Sequence, residues 1–133
     1  MALALTSGPA VEPVSVSEAK AHLRIDGSSE DVLISSLILT SRLHVEAALG
    51  LALINQTWML VLDRWPSDGS VDIPIAPLTA VTAVRVKNSA GVATVVPATS
   101  YLVDIASKPP RLVWNNASPL TPGRIANGIE IDL

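Results

Sequence analysis

The order of apolar and polar positions changes near residue 54, from helical spacing before it to strand alternation after it. Residues 1–14 read as an extended arm punctuated by Pro9 and Pro13. Ser15-Val16-Ser17-Glu18 then has capping-box spacing, in which the Ser15 hydroxyl and the Glu18 carboxylate each satisfy a free backbone N–H. A short helix is predicted from there, with Val16, Ala19 and Leu23 on one face and an end near Asp26-Gly27. Ser28-Ser29-Glu30-Asp31 opens a longer second helix. Its acidic residues lie in the first turn, where the dipole favours them, and Gly50 is placed to end it.

The second helix is the most informative segment. At about 100° per residue from Ile34, one stripe holds Leu37, Ile38, Ser41, Val45, Ala48 and Leu49, which reads as a face turned to the core. Val32, Leu39 and Leu43 fall together on the opposite side, with Ser36 and Ala47. Arg42 and Glu46 lie between the stripes at i,i+4, and Thr40 and His44 are on the other flank. A surface helix has one apolar face, and this one has two. Either the β part of the same chain covers the second stripe, or a neighbouring subunit does.

From residue 55 the pattern is β. Strands are predicted at Gln56–Asp63, Val71–Ile75, Thr82–Lys87, Val92–Val96, Tyr101–Ile105 and Arg111–Trp114, with a last one through Ile129, Ile131 and Leu133. Asn88-Ser89-Ala90-Gly91 reads as a hairpin turn, and residues 115–128 as a loop rich in Pro, Gly and Asn. The fold class is therefore α+β: one short and one long helix, then an antiparallel β-rich region expected to pack against them. The expected organisation is an arm over 1–14 and a single domain over 15–133, helical in 15–54 and β in 55–133.

Composition adds a constraint. Apolar residues make up 49% and charged residues only 16%, with a mean hydropathy of +0.45. Average soluble domains carry roughly 25% charged residues, so this surface is under-charged for a monomer. A membrane span needs about 20 predominantly apolar residues. The longest apolar region, Val32–Leu49, is interrupted by Ser35, Ser36, Thr40, Arg42, His44 and Glu46, so no membrane is expected. Met1–Leu5 has no basic start and is too short for a signal peptide. Burial by protein partners accounts for what remains.

The residues offer little chemistry. There are no cysteines, which excludes thiol catalysis and zinc–thiolate sites. Net charge is −3 and the cations are scattered singly, without the basic cluster that binds phosphate backbones. His22 and His44 lack metal-ligand spacing, and no nucleophile elbow or phosphate-binding glycine loop occurs. Asp26, Glu30 and Asp31 do not follow the order of a calcium loop, and helix capping explains them. No catalytic, cofactor or metal residue is assigned, and no enzyme activity is expected. Trp58 lies within an apolar strand and reads as core. Trp65 and Trp114 sit at strand ends, as edge-of-core packing or as interface anchors. The candidate subunit or partner contacts are thus Val32, Leu39, Leu43, Trp65 and Trp114.

The run from Val14 to Gly50, VSVSEAKAHLRIDGSSEDVLISSLILTSRLHVEAALG, resembles the head–tail connector (adaptor) family of tailed phages, prophages and gene transfer agents. A capped EAK-x-HLR helix, an acidic Gly-containing link and a long helix ending in VE-x-x-x-G occur in the family's order. LALINQTWMLVLDRWP, IPIAPLTAVTAVRV and SYLVDIASKPPRLVW are similar to its β region, so the likeness runs over roughly residues 14–133. The resemblance implies a structural subunit of a ring, usually twelve-fold, between the portal and a stopper or tail-completion protein. DNA would pass through that ring without being read, and the mildly acidic charge suits such a conduit. It also implies a place at the head–tail junction of a particle assembled in the host cytoplasm. Family members often carry a further C-terminal helical segment for portal docking, which this sequence lacks. The alternatives are a small α+β ligand-binding or enzymatic domain, or another particle component such as a head-closure or tail-terminator protein.

Overall fold

Ala2–Ser7 (β1), inside the stretch expected as an arm, pairs antiparallel with Thr57–Leu62 (β2), from Ala2 opposite Val61 to Ser7 opposite Thr57. The helical residues between them are therefore inserted into a hairpin. The computed structural model describes residues 1–115 and 119–133, and part of the loop expected over 115–128 lies outside the described residues. The chain divides into two units, Pro9–Asn55 and Met1–Gly8 with Gln56–Leu133.

The helical unit holds Val16–Leu23 (α1) and Asp31–Leu49 (α2). The capping box forms as expected. Ser15 Oγ accepts from the Glu18 N–H at 3.2 Å, and Glu18 Oε2 accepts from the Ser15 N–H at 2.9 Å. α1 ends earlier than Asp26-Gly27, because Arg24 takes the left-handed conformation (φ 56°) and the Ile25 N–H bonds back to the Lys20 carbonyl at 3.1 Å. At α2 the acidic start serves differently from a cap. No side chain caps the helix, and Asp31 pairs with Lys20 Nζ at 2.7 Å, tying α2 to α1. Gly50 closes α2 in the left-handed region (φ 63°), where a Cβ would be strained.

The β unit holds all the expected strands: β2, then Ser70–Asp72 (β3), Ala83–Lys87 (β4), Ala93–Val95 (β5), Tyr101–Asp104 (β6), Arg111–Trp114 (β7) and Ile129–Asp132 (β8). β7 is unchanged, β3 begins one residue earlier than expected and ends at Asp72, and the others are slightly trimmed. A five-stranded sheet runs β1-β2-β8-β4-β5 and a three-stranded one β3-β7-β6, every pairing antiparallel. The strand alternation places Leu60, Leu62, Val84, Val86, Ile129 and Ile131 on one face of the larger sheet, all buried. Val71, Ile73 and Leu112 supply buried residues from β3 and β7 and the segment after β3. Between β4 and β5 the expected turn forms, with the Asn88 N–H bonded to the Val92 carbonyl and Asn88 Oδ1 accepting from the Val92 N–H.

Candidate assembly interface

In α2 only Ile34 and Arg42 are buried. Of the second apolar stripe, Val32 is 81% exposed, Leu43 50% and Leu39 42%, so within the helical unit it is largely uncovered. The first stripe, read as core-facing, is covered only in part: Leu37, Val45 and Leu49 are also exposed. The reason is length. α1 has 8 residues against 19 in α2, too short to shield a helix of that size. What lies beside Ile34 is an open groove of about 350 Å³, lined by Pro13, Val14, Leu23, Leu37, Val45 and Leu53 among others. The polar residues of α2 are turned inward on the helix itself: Ser35, Ser36 and Thr40 hydroxyls donate to the carbonyls four residues back.

Arg42 interrupts this apolar surface with a closed ionic cluster. Its Nε lies 2.7 Å from Glu12 Oε2 and its Nη1 2.7 Å from Glu46 Oε2. Glu46 also accepts from the Leu53 N–H at 2.9 Å. The guanidinium is held above its ordinary pKa by the Glu12 hydrogen bond first, with Glu46 adding to it against desolvation. The i,i+4 pair was legible in the sequence, but the part played by Glu12 was not. A lone cation inside an apolar helix was the one hint that a distant carboxylate must meet it. By length and composition alone α2 also qualifies as a membrane span, yet an ion-paired Arg at mid-helix fits a protein surface better.

Trp65 and Trp114 come together in the β unit, ring centroids 4.7 Å apart and edge to face, and Tyr101 meets Trp114 in the same manner at 6.2 Å. Trp65 Nε1 donates to the Leu120 carbonyl at 2.8 Å, which fastens the 119–125 segment. Both indoles are half-buried. Beside Trp65 is a second open groove of about 570 Å³, rimmed by Arg64, Pro122, Arg124 and Ile125, and Ile125 is 99% exposed. Trp58, expected in the core, is half-buried on β2.

The outer face of β4 and β8 carries a balanced ladder. Arg85 Nη2 lies 2.6 Å from Asp132, Arg85 Nε 3.6 Å from Glu130, and Lys87 pairs with Glu130. The Lys87 ammonium holds the Glu130 carboxyl below the usual carboxylate range, helped by the Arg85 charge. Among the described residues no group of three metal-ligating side chains occurs. The first groove is lined mainly by apolar side chains and its Arg42 charge is already paired, whereas Asp63, Arg64, Thr121 and Arg124 share the lining of the second with apolar side chains.

Residues 13–94 match the family model described as phage gp6-like head–tail connector protein. Comparison with curated proteins gave no match. Among solved structures, the chain is similar to one in the virion of a native gene transfer agent particle, with a TM-score of 0.83 and 28% identity over 99% of this chain and 70% of that one. A second, in the neck of an empty gene transfer agent particle computed with C6 symmetry, gives 0.80 and 31% over 99% and 69%. A third, in the neck of a native particle computed with C12 symmetry, gives 0.69 and 30% over 96% and 66%.

Proposed function

The chain belongs to the phage head–tail connector family, and on that premise we propose that it closes into a homo-oligomeric ring of twelve copies, seated on the portal and handing on to a stopper or tail-completion protein. The connector role and the place at the head–tail junction come with the family and its likeness to neck chains. The observation that carries the twelve-fold ring is likeness over 96% of this chain to a neck chain computed with C12 symmetry.

The surface supports assembly of this kind. Val32, Leu39 and Leu43 offer an apolar contact for a neighbouring subunit or the portal, and burying them would recover roughly 25 cal/mol per Å². The Trp65–Trp114 pair would anchor a second contact, with Ile125 projecting beside it. DNA would meet little grip: five of the nine cations, Lys20, Arg42, Arg85, Lys87 and Arg111, are engaged with carboxylates, and the net charge is −3. The role is structural, without catalysis, and the apolar surface serves protein partners, not a membrane.

The test is assembly with the portal of the same particle, followed by imaging. Twelve-fold rings at the portal are the expected result. A protein that stays monomeric with the portal present would sink the ring.

A further inference from the structure

The five-stranded sheet ends in two open edges, β1 and β5. Their free peptide groups follow from the pairing. Trp58 exchanges both backbone hydrogen bonds with Leu133, so Trp58 and Leu60 face β8, whereas Thr57, Met59 and Val61 face β1. Their partners Ala2 and Ala4 face inward, which turns the peptide groups of Leu3 and Leu5 outward. On the far side, Val96 N–H bonds to the Val84 carbonyl and Asn88 N–H to the Val92 carbonyl. Val92, Thr94 and Val96 therefore face β4, and Ala93 and Val95 turn outward.

Sheet edges are ordinarily blunted by charge or proline. The smaller sheet obeys this: its edge strands β3 and β6 carry Asp72 and Asp104. The larger sheet does not. No charged residue occurs in residues 1–11 or 88–103, and neither β1 nor β5 contains proline. Along β1 the pairing with β2 shifts register between Leu5 and Ser7, which leaves Ala2–Leu5 regular. Joining these edges would bury no charge on either side. It would also cover Val92 and Val95, which are 61% and 63% exposed.

The two edges differ from each other, and that selects the partner. A cyclic ring is built from heterologous contacts, one surface of each copy meeting a different surface of the next. Two unblunted edges at opposite ends of one sheet are such a pair. Resting on the ring reading above, we infer that β1 of one copy adds to β5 of the next, so that the five-stranded sheet continues from subunit to subunit. The strand directions fix the polarity of this junction. Five strands in strict antiparallel order leave β1 and β5 pointing the same way. A twelve-fold step of about 30° does not reverse them, so the junction is parallel.

The chain has no cysteine, so introduced thiols report without background. Neighbouring strands lie about 4.8 Å apart, within disulfide reach. Ala2 and Ala4 share the outer face of the sheet with Ala93 and Val95, so in portal-assembled rings of the full chain the double variants pairing Ala2→Cys or Ala4→Cys with Ala93→Cys or Val95→Cys are oxidised mildly. At least one pair is expected to give a covalent ladder rising to the full ring, while each single variant stays monomeric on a non-reducing gel. Imaged rings without a ladder from any of the four pairs would overturn the inference and leave the ring reading standing. Dimers from Ala4→Cys alone would also overturn it, since like edges would then be meeting. If no ring forms with unmodified protein, the connector ring itself falls, and that is seen before any oxidation. Leu5→Lys with Val95→Lys is a second check: the fold should persist and rings should be lost, and rings that still form count against the junction.

Discussion

Arg42 and Glu12 stand 30 positions apart in sequence, and their side chains meet at 2.7 Å and 3.3 Å through two separate N–H···O bonds. This draws the entry into the helical unit onto α2. Glu46, the other partner of Arg42, binds the Leu53 N–H and so holds the exit. One buried guanidinium thus gathers both ends of the insertion between β1 and β2.

Removing that guanidinium should open both ends at once. Arg42→Met leaves Glu46 nearly buried without its cation, and a loss of about 2–4 kcal/mol is expected, tempered by the partial exposure of Glu12. Glu12→Gln should cost less. Urea unfolding followed by far-UV circular dichroism checks both, and an Arg42→Met protein as stable as the parent would refute the clamp.

Leu39→Asp with Leu43→Asp separates fold from assembly. Both side chains are substantially exposed in the chain, so the monomer should lose no more than about 1 kcal/mol. Ring formation with the portal should disappear. Rings that assemble normally would remove this stripe from the interface.

Acid should weaken the β unit through Glu130. Its folded pKa is depressed, so its contribution to stability is present above the unfolded value of about 4.3 and is lost as pH falls through the lower, folded value. Stability should therefore hold from neutrality to about pH 5 and decline below that. Glu130→Gln should flatten this part of the profile, measured by urea unfolding across pH. A slope unchanged by the substitution would assign the acid lability elsewhere.

Gly123→Ala tests the seating of the segment that Trp65 holds. A Cβ there would collide with the Ser89 nitrogen and lie 2.8 Å from the Asn88 carbonyl carbon, backbone atoms of the β4–β5 turn that cannot easily yield. The Gly123 N–H bond to the Lys87 carbonyl, 2.9 Å, would be strained with it. A loss of about 1–3 kcal/mol and faster proteolysis within residues 119–128 are expected. Unaltered proteolysis would show that the segment is seated by other contacts.

The strands and helices were legible because their signals are local: period-two alternation at Val84–Lys87, the Ser15–Glu18 box, Gly50 after α2. β1 was not, because ALALTS preceding two prolines carries no sign of which strand it will meet, and its partner lies about fifty residues on. The two-faced character of α2 was visible in the spacing of Val32, Leu39 and Leu43. How little of the other stripe is covered was not, since that depends on α1 stopping at Leu23 when Arg24 turns left-handed. For the same reason Glu12 stayed hidden: a carboxylate in an irregular segment has no periodicity to betray its partner. Of the aromatic pair, sequence position gave the strand ends but not the edge-to-face contact between them.

The strand order also dictates when the larger sheet can exist during synthesis. β8 sits between β2 and β4, yet it leaves the ribosome after both. Until then β1–β2 and β4–β5 are separate hairpins, each with an inner edge as open as its outer one. Only emergence of residues 129–132 welds them into one sheet. Nascent chains translated side by side are thus exposed to mispairing at those inner edges, and the cell's chaperones have a defined interval in which to shield them.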